Sequence, residues 1–235
     1  GLKVQERWQQ SRTPDRAEWP KMPLGMMAGS EPRELHFFAD ADGVHGMIAG
    51  STGSGKSELL MTMILSLAAK YDPTVVNFVL IDYKGGAAFE PFKTLPHVVD
   101  IVTNLRGNAV ERMFKAINAE LNRRQDINQR TDSKDIVRYR KKDLHRTRND
   151  NYPHLFIIID EFAEMIASNP EYRAQLDSIT RLGRALGVSL ILAAQRPTGV
   201  TDQMRANIKF RICLRVETKE ESQELLRSEE RRVGK

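Results

Sequence analysis

The sequence predicts an α/β domain whose mainly parallel sheet is flanked by helices on both faces. The 235-residue chain is 40% hydrophobic, which is enough apolar material for a packed core. Segments with strand character alternate along the chain with segments of helical character. The strand segments are continuous apolar runs, which indicates strands buried on both faces, as in a parallel sheet.

The predicted elements fill residues 44–226. Strands are predicted at Val44–Ala49, Val75–Ile81, Val98–Val102, Leu155–Ile159, Ser189–Ala194 and Phe210–Val216, and helices at Ser57–Lys70, Asn108–Arg124 and Glu171–Leu186. Prolines break residues 1–43, so an irregular arm and linker that packs on the core is predicted, with a short strand near Leu35–Phe38. The last residues, 227–235, read RSEERRVGK and resemble translated sequencing-adapter DNA. We therefore expect the natural sequence to depart from this one after Leu226.

Composition excludes several classes of protein. The single cysteine, Cys213, excludes an internal disulfide and a cysteine-based zinc site, and the five histidines lack metal-ligand spacing. The longest aliphatic or aromatic run, Leu155–Ile159, is far shorter than the roughly 20 residues of a membrane-spanning helix. The chain does not open on a secretion signal. These features predict a cytosolic domain.

A glycine-rich loop is the strongest motif. The segment GSTGSGKS fits G-x-x-x-x-G-K-[ST], with an apolar strand before it and a helix after it. Glycines let the backbone curl so that its N–H groups point at phosphate oxygens, and the helix N-terminus adds positive potential. The predicted nucleotide-binding residues are Gly50, Ser51, Thr52, Gly53, Ser54, Gly55, Lys56 and Ser57. Lys56 is expected to contact the β and γ phosphates, and the Ser57 hydroxyl to bind Mg²⁺.

Two adjacent carboxylates follow the strand Leu155–Ile159. Asp160 is predicted to hold Mg²⁺, and Glu161 to accept a proton from the attacking water. The alternative is an ordinary acidic helix start, which the phosphate-binding loop makes less attractive. A whole predicted strand, Val75–Ile81, lies between the two motifs along the chain. This spacing favours the class of P-loop ATPases in which an added strand separates the two motifs.

Other polar residues are candidates for the same site. Gln195 follows a buried strand and is predicted to contact the γ phosphate or the attacking water, although a loop role is the alternative. In ring-shaped motors a neighbouring subunit often supplies an arginine to the transition state. The candidates for this arginine are Arg181, Arg184, Arg205, Arg211 and Arg215, with Arg184 and Arg211 as the two named choices. The alternative for each one is a surface or salt-bridged residue, and the sequence does not choose among them.

Two further segments remain open to alternatives. The turn Asp82–Gly86, with the sequence DYKGG, either contacts nucleotide or is a plain tight turn, and residue chemistry alone favours the turn. Seven Lys and Arg residues lie within Lys134–Arg148. A solvated excursion is favoured there over a nucleic-acid surface, because Tyr139 is its only aromatic residue.

Together these motifs resemble the FtsK/SpoIIIE family of RecA-like P-loop motors. The matching segments are GSTGSGKSE at 50–58, NFVLIDYKGG at 77–86, LPH at 95–97, ELNRR at 120–124, LFIIIDEFAE at 155–164, RLGRALG at 181–187 and LILAAQRP at 190–197. DNA translocases of this family usually carry I-D-P-K after the second strand. Residues Ile81–Lys84 read IDYK here, which is similar to the EssC/EccC ATPases of type VII secretion systems.

The resemblance implies a function. It implies an ATP- and Mg²⁺-dependent motor with Lys56, Glu161 and Gln195 in catalysis, and the first of several tandem ATPase domains. It also implies a homo-oligomeric ring, membrane components as partners, export of WXG100-type proteins, and a cytoplasmic domain of a membrane-anchored protein. A double-stranded DNA translocase and a nucleotide-binding regulatory module that does not hydrolyse ATP are the alternatives.

Overall fold

The computed structural model describes residues 3–13, 20–85, 87–103, 109–196 and 198–226. The predicted adapter-derived tail, 227–235, lies outside these residues. The strands are β1 (Lys21–Met26), β2 (Pro32–His36), β3 (His45–Ala49), β4 (Val76–Asp82), β5 (Val98–Thr103), β6 (His154–Asp160), β7 (Val188–Ala194) and β8 (Ile208–Cys213). The helices are α1 (Val4–Ser11), α2 (Lys56–Lys70), α3 (Ala109–Arg130), α4 (Ile136–Lys141), α5 (Leu144–Thr147), α6 (Phe162–Ser168), α7 (Tyr172–Leu186), α8 (Asp202–Asn207) and α9 (Lys219–Leu226).

Six of the strands form one sheet in the order β5-β4-β6-β7-β3-β8, and every pairing within it is parallel. Alternate residues of β6 belong to different cores. Ile157 and Ile159 lie in a cluster with residues of α3, α6 and α7, whereas Phe156 and Ile158 pack with residues of α2. The prediction of a parallel sheet covered by helices on both faces is therefore confirmed.

One strand separates the loop-bearing strand from the acidic strand, but it is not the strand that the spacing along the chain suggested. The separating strand is β7, and β4 pairs with the far side of β6. The difference arises because a helical crossover can place the next strand more than one position away in the sheet. A later strand, here β7, then fills the position between β3 and β6. All the carboxyl ends still meet at one edge of the sheet, where ligands of such folds bind.

The prediction that the N-terminal arm is irregular is wrong, but the arm packs on the core as predicted, and β2 overlaps the short strand predicted near Leu35–Phe38. Helix α1 packs on α2, where the Trp8 Nε1 atom donates a hydrogen bond of 2.8 Å to the Ala68 carbonyl. Strands β1 and β2 form an antiparallel hairpin, and Met22 and Leu35 are buried in the same core as α2. The prolines are compatible with these strands because a two-stranded hairpin leaves edge positions where no N–H is needed.

The basic excursion also differs from its prediction. It contains α4 and α5, and Tyr139 and Arg140 are buried. Tyr139 packs against Tyr152 with ring centroids 5.0 Å apart. The Asp135 side chain caps α4 by accepting a hydrogen bond from the Arg138 N–H. Helical periodicity turns one side of this basic stretch inward, so only its other side is solvated.

Close packing between α7 and the start of β7 depends on a glycine. An added Cβ at Gly183 would lie 2.3 Å from the Val188 carbonyl oxygen and 2.7 Å from the ring of the buried His45. We expect Gly183→Ala to lower the free energy of unfolding by about 2 kcal/mol, because the Val188 clash involves backbone. Urea denaturation measures this loss. Gly25→Ala is the control, since its added Cβ would meet nothing within 4 Å. Equal midpoints for the two variants would contradict the packing argument.

Candidate nucleotide-binding site

The glycine-rich loop joins β3 to α2 and has an open concave backbone. Gly53 and Gly55 adopt φ angles of 73° and 91°, which L side chains rarely adopt. An added Cβ at either position would meet nothing within 4 Å. Gly50 is different, because its Cβ would lie 2.3 Å from the Ser54 Oγ atom. The loop therefore needs glycine for conformation at two positions and for space at a third.

Polar groups of this loop are partly fixed and partly available. The Ser51 N–H and hydroxyl both donate to the Arg215 carbonyl, at 2.8 and 2.9 Å, which ties the loop to the segment after β8. The buried Ser54 Oγ atom has no hydrogen-bond partner within the described part of the chain. Buried hydroxyls rarely stay unsatisfied, so this atom suits a polar ligand in the loop.

Three of the predicted residues meet beside the loop. The Lys56 Nζ atom lies 2.6 Å from Asp160 Oδ1 and 2.6 Å from Glu161 Oε1. All three residues are buried, with relative exposures of 6–7%. Lys56 begins α2, whereas the carboxylates lie where β6 meets α6. A buried cation shared by two buried carboxylates satisfies charges that would be costly to bury alone.

The backbone of Glu161, the second carboxylate, is strained. Glu161 has φ 58° and ψ 40° immediately before α6, a left-handed conformation that is costly for a residue with a side chain. Its own N–H donates a 2.9 Å hydrogen bond to Asp160 Oδ1. Such strain is typical of functional positions, where the surrounding structure holds it in place.

A second lysine, Lys84, reaches one of these two carboxylates, Glu161. Lys84, in the turn after β4, has its Nζ atom 3.0 Å from Glu164 Oε1 and 3.6 Å from Glu161 Oε1. Partial burial opposes its charge, but the carboxylates of Glu164 and Glu161 outweigh that effect and raise the pKa of Lys84. Residue chemistry alone favoured a plain turn here. The I-D-Y-K motif was the available signal, but only the pairing of β4 with β6 shows what the lysine contacts.

A cavity of about 360 Å³ lies next to this charged cluster. Its lining includes Ser51 of the loop, Glu161 and Gln195. On its far wall the Arg196 Nε atom lies 3.0 Å from Glu221 Oε1, which joins the end of β7 to α9. The predicted residue Gln195 therefore lies on the same cavity as the loop and the second carboxylate.

A family comparison agrees with this arrangement. The model of the FtsK/SpoIIIE family matches residues 7–199. The chain belongs to the FtsK/SpoIIIE family. This match includes the loop, both carboxylates and Gln195.

Individual relatives of this FtsK/SpoIIIE domain come from type VII secretion systems. EssC of Staphylococcus aureus is 42% identical over 228 residues, which cover 97% of this chain and 15% of the relative. The cytoplasmic domain of EccC from Thermomonospora curvata superposes with a TM-score of 0.82 at 37% identity, covering 91% of this chain and 26% of that one. A structure of T. curvata EccC ATPases 2 and 3 with a signal sequence peptide gives 0.78 at 21%, covering 86% and 37%. The FtsK/SpoIIIE domain is thus homologous to ATPase domains of EssC and EccC, and it spans about one-seventh of the curated relative's length.

The residues of the FtsK/SpoIIIE domain fit a nucleoside triphosphate with Mg²⁺. The open space at Gly53 and Gly55 and the unsatisfied Ser54 hydroxyl suit phosphate oxygens. Within the described ranges, no cluster of three or more His, Cys, Asp or Glu side chains could hold a metal alone. The hydroxyl of Ser57 and the carboxylate of Asp160 offer oxygen ligands that suit Mg²⁺, because this ion is usually bound by one or two protein groups together with substrate phosphates.

The two named arginines lie in different places. Arg184 is exposed near the end of α7, which leads directly into the start of β7, so it lies at the edge of the sheet opposite the loop. Arg211 lies in β8 and donates hydrogen bonds to the carbonyls of Arg205 and Ile208. Of these two residues, Arg184 is the more exposed.

Among the helices in the described residues, none combines the length and apolar character needed to cross a bilayer.

Proposed function

We propose that this FtsK/SpoIIIE domain is an ATP-hydrolysing motor domain of an EssC/EccC-like type VII secretion ATPase. The observation that carries the proposal is the position of Lys56, 2.6 Å from both Asp160 and Glu161 and at the end of the glycine-rich loop. A lysine on phosphate beside a metal-binding aspartate and a glutamate base is the equipment that P-loop ATPases use. The homology to EssC and EccC supports the proposed setting.

Each predicted residue has a role in this proposal. The loop Gly50–Ser57 binds the triphosphate through its N–H groups, and Lys56 moves from the carboxylates to the phosphates. Ser57 and Asp160 hold Mg²⁺, which neutralises developing charge on the phosphoryl oxygens when bound. Glu161 accepts the proton of the attacking water, and Gln195 contacts that water or the γ phosphate. Arg184 or Arg211 serves a neighbouring site.

Two structures of one relative support a proposal for the position of this domain within a longer protein. Identity is 37% against the cytoplasmic domain of T. curvata EccC, but 21% against ATPases 2 and 3 of the same protein. This difference favours a counterpart outside ATPases 2 and 3. We infer that the domain is the first of a tandem on the cytoplasmic side of a membrane-anchored protein. Its partners are then sister domains in a ring, membrane components and exported WXG100-type proteins.

One observation favours a second function, DNA translocation. A groove of about 540 Å³ is lined by five basic side chains and two acidic ones. The basic residues are Lys134, Arg138, Lys141, Arg181 and Arg184. Such a groove offers phosphate contacts, but Phe38 is the one aromatic residue in its described lining, which is too little for a stacking surface.

A single assay separates these functions. The full-length protein, assembled in detergent, is tested for ATPase activity alone, with an exported-protein signal peptide, and with duplex DNA. We expect turnover that the peptide stimulates and DNA does not. Stimulation by DNA that falls steeply with salt would favour the translocase. Nucleotide binding without turnover under any condition would favour a regulatory module.

Gln195 provides a test of the cavity. We expect Gln195→Ala to lower kcat about 100-fold with little change in KM, because the amide contacts groups that change during hydrolysis rather than the bound base or sugar. Steady-state ATPase kinetics measure both constants. Gln203→Ala is the matched control, since Gln203 is an exposed glutamine on α8. Equal changes of kcat and of KM in Gln195→Ala and Gln203→Ala would contradict the assigned role.

A further inference from the structure

Five side chains at the carboxyl edge of the sheet form a row of alternating charge. The order is Glu164, Lys84, Glu161, Lys56 and Asp160, with neighbouring atoms 3.0, 3.6, 2.6 and 2.6 Å apart. The two lysines thus contact Glu161 from different elements, one from α2 and the other from the turn after β4. Glu161 is the only member of the row that touches both.

We propose that Lys84 is a positioning residue that holds the Glu161 carboxylate while Lys56 binds phosphate, an inference that rests on the proposed function. The Glu161 side chain is 8% exposed, so it depends on protein groups for stabilisation of its charge. If Lys56 transfers to the phosphates, Glu161 loses its 2.6 Å contact. Lys84 then supplies the remaining cation at Glu161 and keeps the carboxylate turned toward the cavity.

The surrounding structure fixes Lys84 for this role. Residues Asp82 and Asp160 are paired in register, and the Tyr83 N–H donates to the Asp160 carbonyl at 3.3 Å. The backbone next to Lys84 is therefore held against β6. Its ammonium is tied to Glu164, which is one turn along α6 from Glu161. Both lysines contact the same oxygen, Glu161 Oε1, but the Lys84 side chain is 41% exposed whereas that of Lys56 is 8% exposed.

The test uses the full-length assembled protein and four variants. Lys84→Met is expected to lower kcat about tenfold, the size of coupling seen between contacting charged residues, and to leave KM for ATP within about twofold. Lys84→Arg should restore most of the rate, since it keeps the charge. Lys115→Met is the matched control, because this exposed lysine on α3 contacts Glu111 and not the site. Should Lys84→Met not fold, Lys84→Gln replaces it.

A double-mutant cycle shows whether Lys84 acts through Glu161. With Glu161→Gln already present, Lys84→Met should cause no further loss of kcat. An equal tenfold loss in that background would overturn the proposal, because Lys84 would then act independently of the carboxylate. An active wild type together with an equally active Lys84→Met variant would also overturn it and leave the proposed function intact. A wild type that binds ATP without hydrolysing it would overturn both.

Discussion

Lys56→Met is expected to lower kcat/KM for ATP about 1,000-fold, the upper range for loss of one charge-stabilising group. The variant removes the cation that the proposal assigns to the phosphates. It also leaves Asp160 and Glu161 buried side by side without the ammonium that lies 2.6 Å from each. We therefore expect a second effect, a loss of about 3 kcal/mol in the free energy of unfolding, as for other broken buried ion pairs.

Three measurements check the Lys56 prediction. Binding of a fluorescent ATP analogue and steady-state ATPase assays report the functional effect, and chemical denaturation reports the stability effect. Lys93→Met is the control, an exposed lysine that follows the 3-10 helix Ala87–Phe92. A Lys56→Met protein with wild-type turnover would refute the assigned role. Wild-type stability would show that the carboxylates do not depend on this lysine.

Glu161→Gln is expected to lower kcat about 1,000-fold while nucleotide binding is retained, because general-base catalysis typically contributes factors of this order. The amide preserves the size of the side chain but cannot accept the proton of the attacking water. Lys56 keeps its contact with Asp160, so the cluster retains one carboxylate for its cation. The predicted result is therefore tight ATP binding without turnover. It differs from the result expected for Lys56→Met, which loses both kcat/KM and folding stability.

Equilibrium binding of ATP and single-turnover assays check the Glu161 prediction. Glu171→Gln is the control, since Glu171 is an exposed glutamate just before α7. If Glu161→Gln hydrolysed ATP at the wild-type rate, another group would have to take the proton. Weaker ATP binding without a change in kcat would instead show that Glu161 stabilises bound ATP and does not act in the chemical step.

The agreement between the sequence and the fold is best where signals are local. The predicted strand Ser189–Ala194 is observed as β7, one residue longer at its start, because a continuous apolar run signals a buried strand. Agreement is poorest where proline and charge dominate the pattern. The hairpin formed by β1 and β2 tolerates prolines, and α4 buries Arg140 in spite of its charge. Both cases depend on packing partners that are distant in sequence.

The fold class, the glycine-rich loop and the two adjacent carboxylates can be predicted from the amino-acid pattern, because each is encoded in a short run of residues. The strand that separates the loop from the carboxylates, and the contact between Lys84 and Glu161, are visible only in the folded protein. These features depend on the order β5-β4-β6-β7-β3-β8 and on the register that pairs Asp82 with Asp160. Strand order and register result from packing of the whole sheet against its helices, which no local segment specifies.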